Sequence, residues 1–447
     1  MSQARLLSHR WPFYSAAFRS LLVIFFWGLT LVALEPQFGQ GQALAYRFVV
    51  MGDSRSNDLD NFINKPVLGS ANQSISTLDP APDFLIFLGD NSVLGDVDLN
   101  GKDNFTYQDW YNFMRMPPTG LPATLPMYLV IGNHELYQLS LGNEVQSYTA
   151  QTGYQAFMNF NELLSPDTFM PNVKSLPGYD NLSYSFASAD KKSLFVVLDG
   201  FYVPSAKDMP YVDAGPIDNT QLQYLNDTLA NSQATTKFVI THNPVFTPNE
   251  PTYATARDQS LGLLWQIVDN NDVSAVMNGH VHGYSRVMVD SSFTSGASNP
   301  NPGLFFRNSI PQVIAGTVGA PLTGTVSNEP STIYAPASWN WRNAFNYSVV
   351  DVDNSGSGKV SINSYCSDGS SPWTLCDSYT SKSGAAGGLI DTNAAAVAKE
   401  LQLIPGATAS QARTAATEPA KASAAGLLFD PSLSAANGLM LLQESGG

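Results

Sequence analysis

The stretch "SAVMNGHVHG" (Ser274–Gly283) sets the terms on which the whole chain reads. A short apolar run stops abruptly at Asn278-Gly279, and two histidines follow, one residue apart. Taken alone, such a pair reads either as solvated loop residues or as ligands. The same unit, a short β-branched or aromatic run closed by a polar group, recurs in "YRFVVMGDSR" (Tyr46–Arg55), "DFLIFLGDN" (Asp83–Asn91) and "PMYLVIGNHE" (Pro126–Glu135). It recurs again in "SLFVVLDG" (Ser193–Gly200) and "KFVITHNP" (Lys237–Pro244). Runs this continuous predict strands buried on both faces.

Helical segments fit between them. In "NTQLQYLNDTLANS" (Asn219–Ser232), Leu222, Leu225 and Leu229 share one helical face, and Asn219 is placed to cap the start. A second helix is expected in "RDQSLGLLWQIVDNND" (Arg257–Asp272). Strand and helix in alternation predict an α/β fold. In such sheets ligands gather beyond the carboxyl ends of the strands, so the polar groups after each run fall along one edge.

The histidines favour the ligand reading. The chain has 5, and His9 lies in the N-terminal segment. The others, His134, His242, His280 and His282, all follow apolar runs, and Asp53 and Asp90 hold the equivalent place after theirs. Mixed imidazole, carboxylate and carboxamide donors suit a pair of divalent or trivalent first-row ions, with Fe, Zn and Mn all compatible. A carboxylate between two such ions bridges them at the spacing used in phosphoryl chemistry. The ions neutralise phosphate oxygens and activate a water as hydroxide, while a nearby acid protonates the leaving oxygen. No G-x-S-x-G motif supplies a serine nucleophile instead.

The ordered set "GDSR", "GDN", "GNHE", "THNP" and "GHVH" resembles the calcineurin-like metallophosphoesterases. "AGTVGAPL" (Ala315–Leu322) and "LSYSFASADKKSLFVVLDG" (Leu182–Gly200) bring it nearer to the secreted purple-acid-phosphatase-like branch. The resemblance covers about Tyr46 to Cys376 and implies a four-layer β-sandwich flanked by helices, with a dinuclear centre. It implies Asp53 and His282 on the first ion, Asp90 bridging, and Asn133, His242 and His280 on the second. His134 would orient the phosphate or protonate the leaving group without binding metal.

Two positions depart from the family pattern. The residue two after Asp53 is usually His, or Gly in purple acid phosphatases; here it is Arg55, which cannot ligate. Arg55 is expected either to contact substrate phosphate or to turn to the surface and pair with Asp58 or Asp60. The tyrosine that purple acid phosphatases place three residues after the second aspartate is Val93 here, so a purple iron centre is not expected.

Composition narrows the partners. The net charge of −15 repels phosphate backbones and argues against nucleic acid, which leaves a small phosphate ester as the expected substrate. Residues 1–45 read as a signal peptide or N-terminal anchor. Arg5, Arg10 and Arg19 precede the apolar run Leu21–Leu34, and Ala43-x-Ala45 offers a cleavage site. No later segment is apolar enough to span a bilayer, so the mature chain has no span unless this one is uncleaved. A secreted or periplasmic destination follows. The expected metallophosphoesterase domain is 46–380, and 381–447 is an Ala/Gly/Ser-rich tail, partly disordered, with a short helix near Ala394–Leu401. Aromatic insertions after Gly95 and Leu136 read either as lids or as surface packing. Asp353-Asn354-Ser355-Gly356 reads as a hairpin turn.

The expected function is a secreted, acid-phosphatase-like dinuclear hydrolase of phosphomonoesters or phosphodiesters, using metal-activated hydroxide. The alternatives are a cyclic-nucleotide or phospholipid-headgroup phosphodiesterase and a non-catalytic, metal-containing surface binding protein.

Cys366 and Cys376, the only two cysteines, should bridge a short loop in an oxidising compartment, contributing about 2–3 kcal/mol. Exported protein should therefore show no alkylatable thiol by unreduced mass spectrometry. Two alkylated cysteines would refute the pairing.

Overall fold

The computed structural model describes residues 46–58, 61–92, 106–115, 117–139, 145–147, 157, 170–179, 181–201, 217–246, 256–291, 306–323, 340–353 and 358–381. Residues 1–45, Val93, most of the second insertion, Asn354–Gly356 and the tail beyond Ser381 lie outside the described residues.

Two sheets pack face to face. The first has six strands. At its centre β1 (Tyr46–Met51), β4 (Phe84–Phe87) and β5 (Met127–Leu129) run parallel. β16 (Phe345–Asp353), β17 (Lys359–Ser367) and β18 (Thr374–Thr380) add antiparallel on the other side of β1. In the second sheet, of eight strands, β10 (Ser193–Leu198), β11 (Thr236–Thr241), β12 (Ala275–Asn278) and β14 (Ile310–Ala315) are parallel neighbours. It is completed by β13 (Tyr284–Val289) and β15 (Asn340–Arg342) at one edge. At the other lie β9 (Tyr184–Ala187) and β8 (Lys174–Ser175). Two small ribbons lie outside the sheets: β2 (Arg55–Asp58) with β3 (Asn61–Ile63), and β6 (Tyr137–Leu139) with β7 (Val145–Ser147).

The continuous apolar runs form the central strands because both faces are covered. On β1, Phe48, Val49, Val50 and Met51 are all fully buried. Phe48 and Phe84 point into the second sheet, where Phe48 meets Phe195 and Phe238 edge-on at centroid distances of 5.3 Å each. Phe84 meets Phe195 and Phe186 in the same manner, at 5.4 and 5.8 Å. Edge-to-face pairs of this kind add about 0.5–1.5 kcal/mol each beyond the area they bury.

The outer faces carry helices. Over the second sheet, α3 (Asn219–Ala230) and α4 (Ala256–Asn270) bury Leu222, Leu225, Leu229, Leu264 and Trp265 against Val196, Val239 and Val276. Asp218, not Asn219, caps α3. It holds the extended backbone a cap needs, and its Oδ1 accepts from the backbone N–H of Thr220 and Gln221 at 2.8 and 3.1 Å. Over the first sheet lie α1 (Lys65–Ser76) and α2 (Thr106–Arg115). Leu68, Ala71 and Ile75 of α1, and Tyr107, Trp110 and Met114 of α2, join the core. Trp110 meets Phe87 edge-on at 4.7 Å, so the described part of the first insertion is packing rather than a lid. The result is the expected four layers: helices, sheet, sheet, helices.

Cys366 on β17 and Cys376 on β18 form a disulfide across neighbouring strands.

Candidate metal centre

The parallel strands of both sheets deliver their carboxyl ends to one place. Asp53 follows β1, Asp90 follows β4, and Asn133 and His134 follow β5. From the second sheet, His242 follows β11, and His280 and His282 follow β12. The sixth run ends differently: Asp199, after β10, is a buried brace whose Oδ1 accepts from Phe201 N–H.

The turns that present these side chains are tight. Asp53, Asp90 and His280 all take left-handed backbone conformations, with φ of 51°, 53° and 68°. Aspartate tolerates this region through its short polar side chain; for histidine it is rarer. The backbone also presses against the carboxylates. A Cβ on Gly132 would lie 2.3 Å from Asp90 Oδ1, and one on Gly279 would lie 2.7 Å from Asp53 Oδ2. Only glycine permits that approach.

Asp53 is fully buried, and both its oxygens accept from the backbone N–H of His280, at 3.1 and 3.2 Å. Asp90 Oδ1 accepts from His134 N–H at 2.9 Å. Asp53, Asp90 and His282 bring ligand atoms within 4.8 Å of one another. Asn133 Oδ1 lies 3.2 Å from His242 Nε2 and 3.1 Å from His280 Nδ1. His242 Nε2 is also 3.5 Å from Asp90 Oδ1, and His282 Nε2 is 3.6 Å from Asp53 Oδ1.

The histidine tautomers decide what such a set can hold. His242 Nδ1 sits 2.6 Å from Leu88 O, and His282 Nδ1 sits 2.8 Å from Pro321 O. A carbonyl only accepts, so each Nδ1 carries the hydrogen, and the neutral ring then offers a lone pair at Nε2. For His242 that lone pair faces two further acceptors, Asn133 Oδ1 and Asp90 Oδ1. Converging lone pairs repel unless a cation lies among them. The donor set therefore fits metal ions, with each Nδ1–H held by a backbone carbonyl as in established metal-binding histidines.

Electrostatics follow from the enclosure. Burial pushes Asp53 well above the usual carboxylate range. Without a bound cation, burial would also raise Asp90, but the charges that protonated His242 and His134 would carry, together with Arg55, outweigh it and hold that carboxyl well below the usual range. Burial, reinforced by the Arg55 charge, pushes His282 down to about 4, so its ring is neutral near pH 7.

Arg55 does not turn to the surface. Its backbone N–H donates to Asp90 O at 3.3 Å, and the side chain folds back so that Nε lies 3.8 Å from Asp90 Oδ2. Its Nη1 donates to Ser56 O at 3.1 Å. His134, 15 % exposed, places Nε2 3.9 Å from Asp90 Oδ2 at the mouth of the site.

Four contributors were not singled out from sequence. Glu135 is buried, and its two oxygens accept from the N–H groups of Asp90, Asn91 and Gly132 at 2.9, 2.8 and 2.7 Å. Burial and the neighbouring Asp90 charge push its carboxyl up to about 8. Asn278 donates from Nδ2 to Thr241 O and Asn243 O, tying the His242 turn to the His280 turn. Val318 and Ala320 donate their N–H groups to Gly52 O and Asp53 O, backing the first loop. Glu135 stands inside "GNHE", yet a single acidic letter does not show which backbone groups it will meet.

The model of the calcineurin-like phosphoesterase family matches residues 46–284, just over half of the chain. The chain belongs to that family. No curated protein matches the chain in sequence. Among solved structures, it is similar to a purple acid phosphatase (PPD1) from yellow lupin (Lupinus luteus) seeds, at 13% identity and a TM-score of 0.47. That match covers 75% of this chain and 53% of the lupin chain, so the chain spans about half the length of that relative. It is also similar to PhoD, at 14% identity and a TM-score of 0.49, covering 76% of this chain and 70% of that one. A third likeness is to GAP50, the anchor in the inner membrane complex of Plasmodium, at 13% identity and a TM-score of 0.44. It covers 75% of this chain and 87% of that one.

Replacing Glu135 by alanine leaves three buried N–H groups without their acceptor, each costing about 1–3 kcal/mol. Glu135→Ala should lower the denaturation free energy by about 3 kcal/mol or more and reduce bound metal, because Asp90 loses its brace. Chemical denaturation and elemental analysis read the two effects. An unchanged midpoint would refute the bracing role.

Proposed function

We propose that this chain hydrolyses phosphate esters at a dinuclear metal centre. In this reading Asp53 and His282 would hold the first ion and Asn133, His242 and His280 the second, with Asp90 contributing to both. The observation that carries it is the convergence of His242 Nε2 on Asp90 Oδ1 at 3.5 Å and of His282 Nε2 on Asp53 Oδ1 at 3.6 Å, with each Nδ1 turned to a backbone carbonyl. When bound, such ions neutralise phosphoryl oxygens and activate water for in-line attack.

The chain's own residues supply the rest. Backbone N–H groups of His280 and His134 hold the two carboxylates in place. His134, at the mouth and beside Asp90, orients the phosphoryl group or delivers a proton to the leaving oxygen. Arg55 places a permanent positive charge against the same carboxylate, where an incoming phosphate is attracted. Fe, Zn and Mn all suit these donors, and the position of a tyrosinate ligand is taken by Val93.

An exported, acid-phosphatase-like role is part of the proposal. The Cys366–Cys376 bridge supports an oxidising destination, and the net charge of −15 disfavours nucleic-acid substrates. Among the described residues no helix is long and apolar enough to cross a membrane.

Purified protein should carry transition metal, and chelation should abolish hydrolysis of an aryl phosphate. Full activity in metal-free protein would overturn the dinuclear reading, and bound metal without any hydrolysis would favour the non-catalytic binding protein.

His134→Ala should keep its metal and lose turnover by about 10²–10⁴-fold, the usual worth of a general acid. Metal content and circular dichroism on the same sample separate this from misfolding. Unchanged turnover would remove His134 from the chemistry.

A further inference from the structure

We infer that Arg55 makes this site selective for phosphomonoesters over phosphodiesters. The inference rests on the dinuclear reading above and names the residue that sets its substrate class.

Three observations support it. First, Arg55 is pinned: its N–H is bonded to Asp90 O, and it begins the short β2–β3 ribbon, paired with Ile63. Second, its guanidinium is directed inward. Its side chain is only 14% exposed, and Nε, buried beside Asp90 Oδ2 at 3.8 Å, makes no hydrogen bond. Third, the site's permanent charges do not balance around it. Asp53 and Asp90 are its carboxylates, while Asn133, His242, His280 and His282 are neutral donors in this reading. Even with Glu135 behind them included, three carboxylates set against one guanidinium and two divalent ions leave an excess of positive charge.

An enclosed guanidinium in that surplus is costly unless an anion enters. The two ester classes differ in what they bring. Near neutral pH a phosphomonoester carries close to two negative charges over three terminal oxygens, as phosphorylated side chains do. A diester carries one charge over two terminal oxygens. The dianion offsets more of the surplus, and its third oxygen gives the planar Arg55 fork a partner that a diester lacks. The usual family residue here, histidine, would add a ligand; arginine adds a requirement for charge on the substrate.

The test uses the full-length, metal-loaded protein and reads binding as well as turnover. Calorimetry with orthophosphate and with dimethyl phosphate is compared for wild type, Arg55→Ala and Arg55→Lys, with metal content measured on each sample. Arg55→Ala should keep its metal and lose about tenfold to a hundredfold in orthophosphate affinity, the range of a charge-assisted hydrogen bond. Its dimethyl phosphate affinity should change by less than about twofold, well inside the factor of ten that one such interaction is worth. The kcat/KM ratio of aryl monoester to diester should fall in parallel. Arg55→Lys keeps the charge without the fork and should lie between; it carries the test if Arg55→Ala does not fold. Equal losses for both anions, or none for either, in protein that retains its metal overturn this inference alone. Wild-type protein that binds no metal overturns the dinuclear reading and this inference with it.

Discussion

Asp53 and Asp90 are carboxylates buried at the ends of neighbouring parallel strands, and enclosing two like charges is the constraint on which the site depends. Ion burial is costly, and the second charge raises the cost of the first. The surroundings offset it with directed groups. Two backbone N–H groups, from His280 and His134, point at the two carboxylates, and Arg55 lies over Asp90. The left-handed turns at Asp53, Asp90 and His280 have the same origin, since strand ends in ordinary conformations would not bring these groups together.

Neither sheet contains the site alone. Asp53, Asp90, Asn133 and His134 end strands of the first sheet, while His242, His280 and His282 end strands of the second. The distance between the two sets is therefore set by the packing between sheets, where Phe48 and Phe84 interleave with Phe186, Phe195 and Phe238. A core of this kind is close-packed and transmits small changes in volume. Loss of one aromatic ring there would shift donors that need placement to a few tenths of an ångström.

A second layer holds the donors in register. Glu135 collects three N–H groups from two loops, Asn278 ties the two histidine turns together, and carbonyls of Leu88 and Pro321 select the tautomers of His242 and His282. These contacts decide which atom of each side chain faces inward. The chemistry available to the site depends on that choice as much as on the residue types.

The α/β class was readable from the chain itself, because continuous β-branched and aromatic runs serve only strands covered on both faces. The order of polar residues after those runs likewise pointed to one sheet edge, since parallel strands end on the same side. Helix starts were less legible: Asp218 and Asn219 are both good caps by type, and only the backbone conformation chose Asp218. For Arg55, sequence left two orientations open, because a long flexible side chain carries no directional information. The fold places the guanidinium beside Asp90, while Asp60 and the Asp58 side chain lie outside the described residues. Glu135 and the tautomer-setting carbonyls of Leu88 and Pro321 were invisible for the same reason. Their roles are contacts between separate segments: for Glu135 and Pro321 these exist once neighbouring strands of one sheet have paired, and for Leu88 only once the two sheets have packed.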